Sequence, residues 1–198
     1  MSESALTSRG NRDAIRNQMR RLRREIGTLD RLAAEREVAG RVSKLAAVWR
    51  ARHVAAYLAF DGELSLGTFM SRAARRGQRV YLPVIGSGEM QFRLLTATTT
   101  LIRNRYGIPE PSDGPYIDVR SLDVVLAPLV AFDENGVRLG MGGGYYDRCF
   151  RFLRTRSEWR KPKLIGVAFE FQCVEKLDEH TWDVGLDGIV TEKRSRRF

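Results

Sequence analysis

Apolar residues recur at steps of four and three through Ile15, Met19, Leu22, Ile26 and Leu29, tracing one stripe of an amphipathic helix. Arg12, Arg16, Arg20 and Arg23 follow a neighbouring stripe, so Arg12 and Arg16 lie one turn apart and can reach a common anion. The same stripe is also what the solvated face of a core-packed helix looks like. A second helical pattern runs over about residues 31–49, and beyond it the period changes. Residues 54–60, 79–85, 123–128 and 164–169 are short apolar or β-branched runs separated by helical or turn-rich stretches. This alternation predicts an α/β fold: a single three-layer domain with a mostly parallel sheet flanked by helices, preceded by amphipathic N-terminal helices. Residues 67–76 read as the crossover helix between the first two strands, closed by Gly77, which makes those strands parallel. Asp133-Glu134-Asn135-Gly136 reads as a turn after the third strand.

A chain of 198 residues suits one domain, spanning 1–198 with 1–10 and 193–198 as flexible ends. Lys193, Arg194, Arg196 and Arg197 would then form a solvated, mobile basic tail. The longest uncharged apolar stretch, residues 124–132, falls far short of the roughly 20 residues a membrane helix needs. Without an apolar signal core at the N-terminus, the expectation is a cytoplasmic monomer with no membrane association. Cys149 and Cys173 have no metal-ligand or CxxC spacing and read as reduced, buried thiols. His53 and His180 have no partner at triad or metal spacing and receive no catalytic role, with His180 expected on the surface. The net charge of +10 is uneven: residues 1–52 carry 13 basic and 6 acidic side chains, residues 53–150 carry 10 and 10, and residues 151–198 carry 11 and 8. Such a charge raises the possibility of a nucleic-acid partner, yet no zinc finger, helix-turn-helix or RNP-type motif accompanies it. A small polyanion needs only a local basic face.

The densest chemical signal is Arg138-Leu139-Gly140-Met141-Gly142-Gly143-Gly144-Tyr145-Tyr146-Asp147, with four glycines in five positions running into a helix-like segment. Glycines let backbone N–H groups approach an anion without a Cβ in the way. No Gly-Lys-Ser/Thr closes the loop and its spacing is not GxGxxG, so it is neither of the generic nucleotide motifs. Asp147 can hold a cation beside the anion or simply complement a helix dipole. Asp61-Gly62-Glu63 and the glycine loop both follow strands, where ligands of such sheets collect.

Together with the basic first helix, the segments YLAFDGE, VYLPV, NRYGIPEP, DVVLAPLVAFDENGVRLGMGGGYYDR, IGVAFEFQ and HTWDVGLDGIVTE occur in one order across almost the whole chain. In this the chain resembles the 5-formyltetrahydrofolate cyclo-ligase (methenyltetrahydrofolate synthetase) family. The resemblance implies ATP- and Mg²⁺-dependent conversion of 5-formyltetrahydrofolate, which can carry a polyglutamate tail, to 5,10-methenyltetrahydrofolate through a phosphorylated formyl group, with release of ADP and phosphate. It implies ATP contacts from Arg12, Arg16 and the run Arg138, Leu139, Gly140, Met141, Gly142, Gly143, Gly144, Tyr145 and Tyr146. It also implies folate contacts from Leu58, Glu63 and Tyr145, and Mg²⁺ ligands at Asp147 and Asp183, with Asp187 an alternative for the second. Relatives frequently carry lysine where Gly143 stands, so Arg138 or Arg148 must supply that charge here. The rival expectation is a regulator of the same fold that binds ATP, folate or RNA without ligase activity; RNA binding would weaken steeply with salt.

Overall fold

The computed structural model describes residues 3–86, 88–155 and 161–198, with side chains from residue 10 onward. In chain order the helices are α1 (Glu3–Glu25), α2 (Thr28–Lys44), α3 (Ala46–Arg50), α4 (Gly67–Arg75) and α5 (Tyr145–Phe150). The strands are β1 (His53–Ala55), β2 (Arg79–Ile85), β3 (Met90–Leu94), β4 (Leu101–Arg103), β5 (Pro109–Pro111), β6 (Tyr116–Ile117), β7 (Val124–Pro128), β8 (Ala131–Phe132), β9 (Arg138–Leu139), β10 (Lys163–Val167), β11 (Gly188–Val190) and β12 (Ser195–Arg197). The main sheet has the order β12-β11-β10-β7-β1-β2-β3-β6. Its centre, from β11 to β2, is parallel, while β12, β3 and β6 add antiparallel edges.

The period-two pattern of the central strands divides the core. Val54, Val80, Leu82, Val124, Leu126 and Ile165 pack in the same cluster as Val38 and Val42 of α2 and Phe69 of α4. Ala55, Tyr81, Val125, Ala127 and Leu164 face the other way, onto Phe150 and Leu153. The helices therefore flank a mostly parallel sheet as predicted, with the α4 crossover joining parallel strands β1 and β2. Gly77, just beyond α4, adopts φ 76°, the left-handed conformation that suits a helix end.

Several predicted boundaries shift. The first stripe does not continue in one helix to Leu29: α1 ends at Glu25, and Gly27, with ψ 151°, starts α2 and leaves Leu29 82% exposed. Helix α1 itself begins at Glu3, inside the segment expected to be flexible, where Ala5 and Leu6 favour helix; Met1 and Ser2 lie outside the described residues. The second pattern is cut at Leu45, whose ψ of 128° separates α2 from α3. Regular pairing of the first strand stops at Ala55, and the chain then leaves the sheet, tied by the Tyr57 hydroxyl donating to the Leu64 carbonyl at 2.9 Å. The basic tail is an edge strand, not a mobile end. Its Arg194 reaches Glu134 at 2.6 Å and Glu170 at 2.8 Å, Arg196 pairs with Glu134, and Phe198 packs over the turn at Gly136. Cys149 and Cys173 are free but only partly buried.

Candidate functional site

Helix α1 packs Ile15, Met19 and Leu22 against Ala131 and Leu139 of the β8–β9 hairpin, and this fixes where its arginines fall. The basic stripe then divides between two clusters. Arg12 and Arg16 go to the glycine-loop side, while Arg20, Arg23 and Arg24 go to the turn after β1.

At that turn Asp61 adopts φ 49°, unusual for a residue with a Cβ, and Gly62 adopts φ 79° against the backbone of Arg23. The Asp61 carboxylate accepts from Arg20 Nε at 2.5 Å, Arg24 Nε at 2.7 Å and Arg23 Nη2 at 3.3 Å. Burial alone would push Asp61 up, but the hydrogen bonds and charges of Arg24 and Arg20 hold it below the usual carboxylate range. Arg23 is fully buried, donates to the Leu129 carbonyl at 3.2 Å, and lies 3.8 Å from Glu63 Oε1. Glu63 accepts from the Phe60 N–H at 3.1 Å. Burial pushes its carboxyl up to about 7, against the lowering effect of Arg23. Half-buried Leu58 packs at the edge of the adjoining core.

The predicted hairpin turn delivers the chain to the glycine loop, with Gly136 at φ 84°. Gly142 and Gly144 adopt φ 97° and 62°, the left-handed region that a side chain disfavours. Among the described residues no acceptor engages the N–H groups of Gly142, Gly143 and Gly144. Arg16 Nε donates to the Gly140 carbonyl at 2.9 Å and its guanidinium lies against Gly142, so α1 closes one side of the loop. Met141 is exposed, whereas the Leu139 side chain is fully buried with Met19 and its carbonyl accepts from the Val130 N–H. The helix after the loop has only six residues, so most of the anion-binding capacity resides in the loop amides.

Arg138 pairs within the site: its buried guanidinium donates to Asp147 Oδ1 at 2.6 Å and so neutralises and orients that carboxylate, while its Nε–H has no acceptor among the described residues. The Val184 N–H also donates to Asp147 Oδ1, at 3.1 Å, which brings Asp147 beside the Asp183 segment. Asp183 Oδ2 accepts from Arg12 Nη2 at 3.2 Å and from the His180 N–H at 3.0 Å, and the residue lines a cavity of about 470 Å³ with His180 and Thr181. The alternative, Asp187, sits at the amino end of β10 with its oxygens engaged by Lys163 Nζ and the Leu164 N–H. His180 is half-buried with its ring 4.6 Å from that of Trp182, not fully on the surface.

The Tyr146 ring centre lies 5.7 Å from the Arg138 guanidinium carbon. Burial raises its hydroxyl well above the ordinary tyrosine range, the charge of Glu63 adds to this, and Arg138 opposes it. Tyr57, fully buried, is raised in the same way by burial and then by Glu63 and Tyr146.

The sequence reading assigned no role to the β4–β5 hairpin, although NRYGIPEP spans its turn. Asn104 Oδ1 accepts from the Tyr106 and Ile108 N–H groups, and Asn104 Nδ2 donates to buried Glu110, which also caps the Ile85 N–H. This shaped turn presents Arg105 Nη2 at 2.6 Å and the Tyr106 hydroxyl at 2.8 Å to the Tyr145 hydroxyl. Hydrogen bonds with Tyr106 and Arg105 hold Tyr145 below its ordinary range. The available signal was the dense Asn-Arg-Tyr-Gly turn chemistry between two extended Pro-containing runs.

The profile of the 5-formyltetrahydrofolate cyclo-ligase family matches residues 8–192. The 5-formyltetrahydrofolate cyclo-ligase of Escherichia coli K12 is 40% identical over 169 residues, 80% of this chain and 87% of that protein. The Haemophilus influenzae protein of the same name is 34% identical over 186 residues, covering 90% and 96%. The solution structure of Aquifex aeolicus 5,10-methenyltetrahydrofolate synthetase superposes with a TM-score of 0.82 at 29% identity, covering 94% of this chain and 92% of that one. The Mycoplasma pneumoniae synthetase gives 0.72 at 25% identity, covering 91% and 98%. By fold and by sequence, the chain belongs to the 5-formyltetrahydrofolate cyclo-ligase family of enzymes.

Proposed function

We propose that this protein converts 5-formyltetrahydrofolate to 5,10-methenyltetrahydrofolate with ATP and Mg²⁺, releasing ADP and phosphate, as a monomer in the cytoplasm. One observation carries the reading. Helix α1 joins the unpaired N–H row of the glycine loop, where Arg16 donates to the Gly140 carbonyl at 2.9 Å, to the buried Glu63, which lies 3.8 Å from Arg23. A phosphate cradle and an acceptor for ring N–H groups along one helix can bring two substrates into contact.

In this reading the amides of Gly142, Gly143 and Gly144 bind phosphate oxygens, and Arg16 positions the loop through Gly140. Arg12 and Arg138 each keep a buried Nε–H without an acceptor, donors that an anion can satisfy. Glu63 accepts from pterin N–H groups, Leu58 lines the apolar face, and Tyr145 lies between the two substrates. Asp147 and Asp183 fit a Mg²⁺ ion: each has one oxygen oriented by an arginine, and no described residue engages Asp147 Oδ2 or Asp183 Oδ1. Two carboxylates plus phosphate oxygens are a usual Mg²⁺ set, and the ion would neutralise charge on the β- and γ-phosphates. The cyclisation balances in three steps. The formyl oxygen bonds to the γ-phosphorus as the bond to ADP breaks and its electron pair leaves with ADP. N10 then attacks the activated carbon and gives up its proton. The C–O bond finally breaks, phosphate departs with the electron pair, and the methenyl cation remains.

Purified protein mixed with Mg-ATP and 5-formyltetrahydrofolate should develop the near-ultraviolet absorbance of the methenyl product, with no growth when ATP is omitted. A flat trace from folded protein with all components present would refute the reading.

A further inference from the structure

We propose that Arg148 is a further catalytic residue, whose guanidinium leaves the loop carbonyl it now holds and donates to the oxygens of the phosphoryl group in transfer. This rests on the ATP-dependent reading above. Three other arginines approach the glycine loop, and each is committed to an acid: Arg138 to Asp147 at 2.6 Å, Arg12 to Asp183 at 3.2 Å and Arg16 to Asp13 at 2.5 Å. Arg148 is different. Its Nη1 donates to the Gly143 carbonyl at 2.8 Å and its Nη2 to the Gly88 carbonyl at 3.4 Å, and among the described residues no carboxylate pairs with it. The side chain is exposed, and its guanidinium carbon lies 4.9 Å from the centre of the Tyr145 ring.

The guanidinium lies on the loop itself: a Cβ at Gly144 would come within 2.8 Å of Arg148 Nη1. A charged fork held by neutral carbonyls exchanges them readily for anionic oxygens, because charge-assisted, bidentate bonds to phosphate are stronger. Arg105, the other nearby cation without a carboxylate, is held by the Tyr145 hydroxyl and stacks at 4.9 Å on Tyr106, on the hairpin side. Arg148 therefore has both the uncompensated charge and direct contact with the phosphate cradle. During transfer the bond from phosphorus to ADP breaks while the bond to the formyl oxygen forms, and negative charge spreads over the equatorial oxygens. Arg148 donates hydrogen bonds to that charge without transferring a proton.

The test compares wild type with Arg148→Ala and Arg148→Lys for kcat of ATP-dependent methenyl formation, for equilibrium ATP affinity, and for rescue of the alanine variant by free guanidinium ion. The expected result for Arg148→Ala is a kcat lower by at least about 100-fold with ATP affinity within about threefold, partly restored by guanidinium and partly retained in Arg148→Lys. An alanine variant within about threefold of wild-type kcat overturns the proposal. So does a loss of kcat that only follows an equal loss of ATP affinity and resists guanidinium, since that is the signature of a loop brace. A folded wild type that turns over no substrate with ATP overturns the underlying reading, and Arg148's role with it.

Discussion

Two arginine–carboxylate clusters share helix α1, and they are built differently. At Asp61 and Glu63 the arginines outnumber the acids and one of them, Arg23, is fully buried; burial dominates Glu63, raising it to about 7. At Asp147 and Asp183 each acid has one arginine and one oxygen that no described residue engages. The first cluster is closed on itself and holds the turn after β1 in a left-handed conformation. The second leaves one carboxylate oxygen of each acid open among the described residues. In the proposed function the first reads a ring and the second accepts a metal–phosphate group.

The comparison breaks most severely at Arg23. Arg23→Met removes the buried countercharge of Asp61 and Glu63 and should destabilise the protein by about 3–5 kcal/mol in denaturant titrations. A loss under about 1 kcal/mol would mean that Arg20 and Arg24 suffice to hold the turn. Next in size, Asp147→Asn keeps the shape beside Arg138 but removes the charge; methenyl formation should fall at least about 100-fold while folate affinity stays within about threefold. Equal loss of both would erase the functional distinction between the clusters.

Glu63→Gln should weaken 5-formyltetrahydrofolate binding about 10- to 100-fold and leave the KM for ATP unchanged, as expected for one charge-assisted interaction. The same residue gives the closed cluster its pH dependence. Because the folded carboxyl lies above its ordinary 4.5, the folded state binds this proton more tightly than the unfolded chain does. Its contribution to stability is fully present below about 4.5 and is lost as pH rises through about 7. Substrate affinity should move oppositely, rising across about 7 as the carboxylate forms, and Glu63→Gln should flatten that rise in a titration by fluorescence. The smallest effect is expected at Arg16, which touches the loop through one carbonyl. Arg16→Ala should raise the KM for ATP several-fold with little change in kcat, and an unchanged KM would return α1 to a purely structural role.

Much of this arrangement was fixed by local pattern. Short apolar runs at β2, β7 and β10 and the helical pattern of α4 are local, so their existence and a largely parallel sheet were legible. The glycine loop was legible because Gly142 and Gly144 occupy backbone conformations that other residues avoid. Partner choice was not. The stripe Arg12, Arg16, Arg20 and Arg23 is continuous in sequence, and only the docking of α1 on the β8–β9 hairpin divides it between two clusters. That Arg138 also pairs with Asp147, at 2.6 Å, only the fold decided. The tail looked mobile because its acceptors, Glu134 and Glu170, lie far away in sequence, and Asp187 could be set apart from Asp183 only by the partners each finds, Lys163 and Leu164 for the one and Arg12 and His180 for the other. Local backbone preference acts over a few residues and is written in the sequence itself, whereas the pairing of buried charges depends on which distant segments packing brings together, and that only the tertiary structure decides.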